Sequence, residues 1–267
     1  DRDGVAKALR ARHTFATTGE RSFASLRQGE HLMGDAYTLQ DTLPLQYHLL
    51  GDQGWEEVSL YDGDKLIWSR NLHEELGLAN HRIRIRIGGA RIKDRYRGAY
   101  WTGEIEMTGA SINDFTAFGL DHPEQVCWRK NATTLAFRTD TNGDTDSIEL
   151  QVSQISGCKI SVRSRIDSYI KVGDPLAPQP YVHAPEVALD LEGEALLAQP
   201  TVVRHLPGTE LKVTIERMTD QPLPREVSGQ IAWNTLNLAP TGEHPLFIAA
   251  RQRDQSRVWT SALFISC

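Results

Sequence analysis

The sequence predicts an all-β chain, an antiparallel β-sandwich in one or two sub-domains with one short N-terminal helix, and three observations carry that reading. Apolar and polar residues alternate with a period of two from Phe23 almost to Cys267. Turn-forming Gly, Asn, Asp and Pro interrupt the alternation about every eight to twelve residues, the spacing expected of two antiparallel sheets packed face to face. Helical periodicity is confined to residues 3–12, where Val5, Ala8 and Leu9 share a face.

In the helix, Asp3 is placed to cap the N-terminus, while Lys7, Arg10 and Arg12 favour the negative end of the helix dipole. Three threonines among residues 14–18, stiff at χ1, then stop it, and Gly19 permits a turn. Residues 23–27 and 30–33 flank Gln28-Gly29, and residues 57–61 and 65–68 flank Asp62-Gly63-Asp64, so both pairs read as hairpins. Residues 81–87 form the clearest strand, with Ile83, Ile85 and Ile87 on one face and Arg82, Arg84 and Arg86 on the other. That arginine row reads either as an anion-binding surface or as a solvated face paired with acids such as Glu104 and Glu106. Further strands are expected at 103–108, 125–130, 134–139, 147–152 and 159–166.

Three prolines in residues 173–180 remove backbone donors and disfavour both helix and central strand. The predicted organisation is therefore a helix and junction over 1–20, a sandwich over 21–172, and 173–267 as a second β sub-domain or as strands completing the first. In the last part, 201–205, 210–217, 229–233, 246–251 and 258–265 alternate again.

A formal net charge of −6 argues against a general nucleic-acid binder, because such affinity rests on clustered Lys and Arg neutralising phosphates. No apolar run approaches the roughly 20 residues of a membrane-spanning helix. The chain opens on Asp1 without a leader and reads as a processed or excised piece, which leaves its compartment open. Cys127, Cys158 and Cys267 are too few and too scattered for a disulfide scaffold or zinc site, leaving three thiols or a single Cys127–Cys158 bridge.

No catalytic constellation is complete. The nine histidines (13, 31, 48, 73, 81, 122, 183, 205 and 244) are each isolated, without the His-x-His or His-Glu-x-x-His pairs that preorganise a metal. Residues 140–149 carry Asp140, Asn142, Asp144, Asp146 and Glu149, and read as a calcium loop or as a hairpin turned at Asn142-Gly143. Against calcium, no glycine occupies the sixth position, where the sharp turn is needed. Serine-nucleophile motifs, Walker loops and dinucleotide fingerprints are missing. Tyr96, Tyr100 and Trp101 form an aromatic cluster suited either to stacking on sugar rings or to filling the core.

Ala8-Leu-Arg-Ala-Arg-His-Thr-Phe-Ala-Thr-Thr-Gly19 resembles the junction that closes the barrel in PHP-type proteins, the polymerase and histidinol phosphatase superfamily. His244-Pro-Leu-Phe-Ile-Ala-Ala-Arg-Gln-Arg-Asp254 with Val258-Trp-Thr-Ser-Ala-Leu-Phe-Ile265 is similar to the closing strands of that group, with Gln255 in place of a turn glycine and Ala262 in place of a proline. Residues 136–144 resemble a Thr-x-Gly-Asp turn of the same proteins.

The resemblance implies a C-terminal β region of a metal-dependent phosphoesterase whose upstream barrel holds the divalent metal through His-x-His and further His and Asp ligands. None of those motifs is in this chain. The expectation is thus a non-catalytic accessory or substrate-shaping domain, with no catalytic residue, metal or cofactor of its own and the upstream barrel as its partner. Arg12, Thr17, Thr18 and Arg21 at the junction are the candidate phosphate or substrate contacts, or else simply stitch the helix to the first strand. The rival reading is a carbohydrate or cell-surface ligand-binding module stacking on Tyr96, Tyr100 and Trp101; a stand-alone hydrolase is the third.

Overall fold

The computed structural model describes residues 1–19, 21–90, 98–167, 186–207 and 209–267. The fold is all-β with antiparallel sheets, as expected, and with a few short helices. The chain divides into two compact units, Asp1–Leu76 with Gln221–Cys267, and Gly77–Asp220 between them in sequence. This corrects the expected boundary at the proline-rich stretch. Glu186–Glu192 pairs with Lys159–Asp167 at seven positions, so the chain before and after residues 173–180 belongs to one sheet. The stretch itself lies outside the described residues. The observed divisions fall at Gly77 and just before Pro222 and Pro224, which are weaker punctuation.

The outer unit in sequence is built on Glu243–Gln252, a ten-residue strand paired along one side with Trp55–Asp62 and along the other with Arg257–Thr260 and Leu263–Ser266. Phe15–Thr17, Lys65–Asn71 and Ala36–Thr38 complete this seven-stranded sheet, the last through a parallel pairing. A second sheet runs Glu226–Ile231, Leu45–Gly51, Ser22–Gln28, His31–Leu32. Leu26, Leu49, Trp55, Leu60, Ile248 and Val258 are fully buried within this unit's core, which is why the alternating pattern of each strand is kept. Both expected hairpins form, turned at Gly29 and Gly63.

The helix spans Arg2–Ala11, and Asp1 rather than Asp3 is its cap: the Asp1 carboxylate accepts the Gly4 N–H at 2.6 Å. Asp3 sits in the first turn, where it opposes the dipole's positive end. Arg12 ends the helix in the left-handed conformation, φ 60, and its guanidinium lies 5.2 Å from the Phe264 ring centroid. Gly34 closes against this terminus. At φ +102, a Cβ there would lie 2.5 Å from the Arg12 carbonyl oxygen, and the Gly34 N–H donates to Ala262 O at 2.8 Å. Gly34→Ala is therefore expected to cost about 2 kcal/mol and to unseat the helix, read as a lower Tm with reduced helical circular dichroism. Gln255 takes φ 73 and is held by Arg251, whose Nη1 donates to its Oε1 at 3.1 Å.

The inserted unit is a sandwich of two five-stranded sheets. One runs Ile112–Phe118, Thr145–Val152, Arg82–Gly88, Lys212–Arg217, Thr201–His205, and the other Val126–Arg129, Thr134–Thr141, Ala99–Thr108, Lys159–Asp167, Glu186–Glu192. Ile83, Ile85, Ile87, Ile105, Ile160 and Ile215 meet between the sheets with exposures of 0–1%. Thr134–Thr141 and Thr145–Val152 do not pair with one another, which corrects the expected hairpin. Thr141 pairs with Ala99 in one sheet and Thr145 with Gly88 in the other. Both strands carry buried apolar residues for a common core, so Asn142-Gly143 turns the chain across the sandwich instead of along a ladder. Helices Leu72–Glu75 and Gly193–Ala198 were not expected, being shorter than a recognisable helical period.

All three cysteines are free, which removes the Cys127–Cys158 bridge. Cys158 is buried, and burial pushes the Cys127 thiol up to about 12, so neither is a nucleophile at neutral pH. Among the described residues no helix is long and apolar enough to cross a membrane.

Candidate functional site

The predicted site residues fall in three places. At the junction, Thr18 Oγ1 accepts the Arg257 N–H at 2.9 Å, and Thr17 Oγ1 accepts the Gly19 N–H two residues on at 3.4 Å. Arg12 caps the helix and Arg21 is exposed. Trp101 is a core residue with no exposed surface, its indole N–H donating to Thr141 Oγ1 at 2.9 Å, so it cannot stack on a ligand. It lies in the inward phase of Ala99–Thr108, where burial of an aromatic outweighs display. Tyr100 is half-buried, and Tyr96 lies outside the described residues.

The arginine row is paired, but neither solvated nor matched to Glu104 and Glu106. Arg84 is fully buried between Glu216 and Glu149, which lie opposite it on the two flanking strands. Its guanidinium approaches Glu216 Oε1 at 2.6 Å and Glu149 Oε1 at 3.9 Å. Arg82 reaches Glu149 at 3.4 Å, and Arg86 Nε lies 3.1 Å from Glu216 without the alignment of a hydrogen bond. Among the described residues, these carboxylates are the ion-pair partners of the row.

The acidic segment 140–149 forms the sandwich corner. Thr139 donates to the Asp146 carboxyl and Gln125 Nε2 to Asp140, so protein donors stand where a cation's charge would be needed. Burial first, then the fields of Asp144, Asp121 and Asp140, push the Asp146 carboxyl up to about 8. Among the described residues no group of three or more His, Cys, Asp or Glu is arranged to hold a metal ion. Several histidines instead lie beside a carboxylate, as in His13–Asp35 at 2.8 Å, His73–Glu56 at 3.0 Å and His244–Asp62 at 2.8 Å.

A ligand-sized concavity lies on the outer face of the sheet that contains Trp101. It is a groove of about 350 Å³. Strand register sets its rows: Trp128, Ala136, Glu104, Arg163 and Ala188 stand opposite one another across five strands, with Arg138, Thr102, Arg165 and Glu186 in the next row. Trp128 is outward because Cys127 beside it packs toward the core, and it remains 42% exposed at one rim. Ala136 and Ala188 keep the floor low. Gly103 serves the layer beneath, since a Cβ there would lie 2.6 Å from Phe137 Cζ and 2.4 Å from the Arg163 carbonyl.

Polar groups along the groove are held in place by their neighbours. Lys130 Nζ donates to Glu104 Oε1 at 2.7 Å. Arg163 Nη2 donates to both Asp190 oxygens at 2.7 Å, and Ser161 Oγ donates to Asp190 Oδ1 at 2.7 Å. The Ser161 hydrogen bond, then Arg163, hold the Asp190 carboxyl below the usual carboxylate range. The result is one aromatic face beside fixed donors and acceptors over a shallow floor. Sequence reasoning passed over Trp128, whose outward phase is set by Cys127 beside it packing toward the core.

No family model and no curated protein matches the chain. Among solved structures it is similar to the N-terminal periplasmic domain of ScsB from Proteus mirabilis, at 10% identity over 94% of this chain and 99% of that one, with a TM-score of 0.18. A likeness of that size carries no argument here.

Proposed function

We propose that this chain is a carbohydrate-binding β-sandwich module whose ligand surface is the groove rimmed by Trp128. The observation that carries the reading is the exposed indole beside a low floor and preset polar groups, because a pyranose ring presents a C–H face for stacking and hydroxyls for hydrogen bonding. This moves the ligand surface from Tyr96, Tyr100 and Trp101 to Trp128. Affinity gels loaded with insoluble glucans, xylan and chitin test it. Trp128→Ala is expected to abolish retardation, a loss of at least tenfold at about 1.4 kcal/mol, while leaving Tm within about 2 °C. Retardation unchanged by the substitution, or absent in the parent chain, contradicts the proposal. Trp101→Ala is no substitute, since it opens the core.

A second reading, the accessory domain of a PHP-like metal-dependent hydrolase, is favoured by the N-terminal helix. It has no buried residue, and Val5 and Leu9 are 61% and 63% exposed on one stripe, as a helix made to lie against a neighbouring domain would be. On this reading the divalent metal belongs to an upstream barrel. The reading frame preceding Asp1 tests it: a barrel with a His-x-His motif supports the reading, and any other coding segment contradicts it.

A further inference from the structure

Resting on the glycan reading, we infer that the groove takes an internal run of an uncharged polysaccharide laid across the strands, and not a single sugar or a chain end. Its lining comes from all five strands of the sheet, from Trp128 on one edge to Ala188 and Glu186 on the other. Strands lie about 4.8 Å apart, so four intervals span about 19 Å, room for about four pyranose rings end to end. A monosaccharide site would draw its lining from a few convergent side chains in a closed pocket.

The groove is also open along that direction. Val126–Arg129 and Glu186–Glu192 each pair on one side only, so among the described residues no strand walls off either end. A polymer can continue past both edges.

The charges select against an anionic chain. Glu104 is matched by Lys130, Arg163 by Asp190, and Arg165 stands opposite Glu186. Arg138, beside Thr102, is the one base of the two rows that faces no acid in register. A polyanion would need several unopposed bases, whereas opposed pairs present fixed donors and acceptors to neutral hydroxyls.

Calorimetric titration of the whole chain with cello-, malto-, xylo- and chito-oligosaccharides of one to six units, and with oligogalacturonates, tests the inference. For one neutral series, affinity is expected to rise at least about tenfold between one unit and four, level off by six, and change little with salt. Equal affinity for monosaccharide and tetrasaccharide overturns the internal-run assignment and spares the glycan reading. Tighter, salt-sensitive binding of oligogalacturonate overturns the uncharged assignment alone. Failure of every series to bind overturns both the inference and the reading on which it rests.

Discussion

Arg84→Met is expected to destabilise the inserted sandwich by about 3–5 kcal/mol, the usual result of removing one partner from a buried charge network. Glu149 and Glu216, 3% and 8% exposed, are balanced across the sheet by Arg84, which has no exposed surface. Removing the central guanidinium takes away the cation that stands in register between both carboxylates, at 2.6 Å from Glu216 and 3.9 Å from Glu149. The loss should therefore exceed that of any single neutral hydrogen bond, about 1 kcal/mol. Hydrogen exchange at the Arg82–Gly88 amides measures it directly. Combining Arg84→Met with Glu149→Gln and Glu216→Gln should recover much of the loss, because the variant then buries no unbalanced charge. Protection in the single variant within about 1 kcal/mol of the parent contradicts this account.

The second large effect is a pH dependence centred on Asp146. Its carboxyl titrates near 8 in the folded chain and near the ordinary 3.8 once unfolded. Between those values the folded state holds a proton that the unfolded state has released. Stability from this group is thus complete below about pH 4 and falls as pH rises toward 8, by up to about 1.4 kcal/mol per unit. Asp146→Asn keeps an oxygen to accept the Thr139 hydroxyl and removes the titration. The variant is expected to match the parent at pH 4 and to exceed it by several kcal/mol at pH 8, read as the difference between their denaturation free energies across that range. A difference that does not change with pH contradicts the assignment.

Local features were legible in the sequence because neighbours in the chain decide them. Ile83, Ile85 and Ile87 announce the buried phase of their strand, and Gly29 and Gly63 announce their hairpins. Non-local features were not legible. The pairing of Leu60 with Ile248, strands that lie on either side of the inserted unit in sequence, leaves no local trace. Asn142-Gly143 has the composition of a hairpin turn, yet the two strands it joins are drawn to opposite sheets by a shared apolar core. The same limit governs the groove. Trp101 and Trp128 look equally available as residue types, and the phase of each strand against the core decides which is displayed. Pairing with acids was one of two readings of the arginine row, and Glu104 and Glu106 were the wrong acids because cross-strand neighbours follow from topology.

The central claim, that the outward face of the Trp128 sheet is the ligand surface, is tested most directly by mapping amide and indole NMR shifts of the whole chain during titration with neutral tetrasaccharides. The account predicts perturbations at the Trp128 indole and along Thr102, Glu104, Arg163 and Ala188, the residues that line the groove. Perturbations gathered on Arg2–Ala11, or none along those four strands, would contradict it.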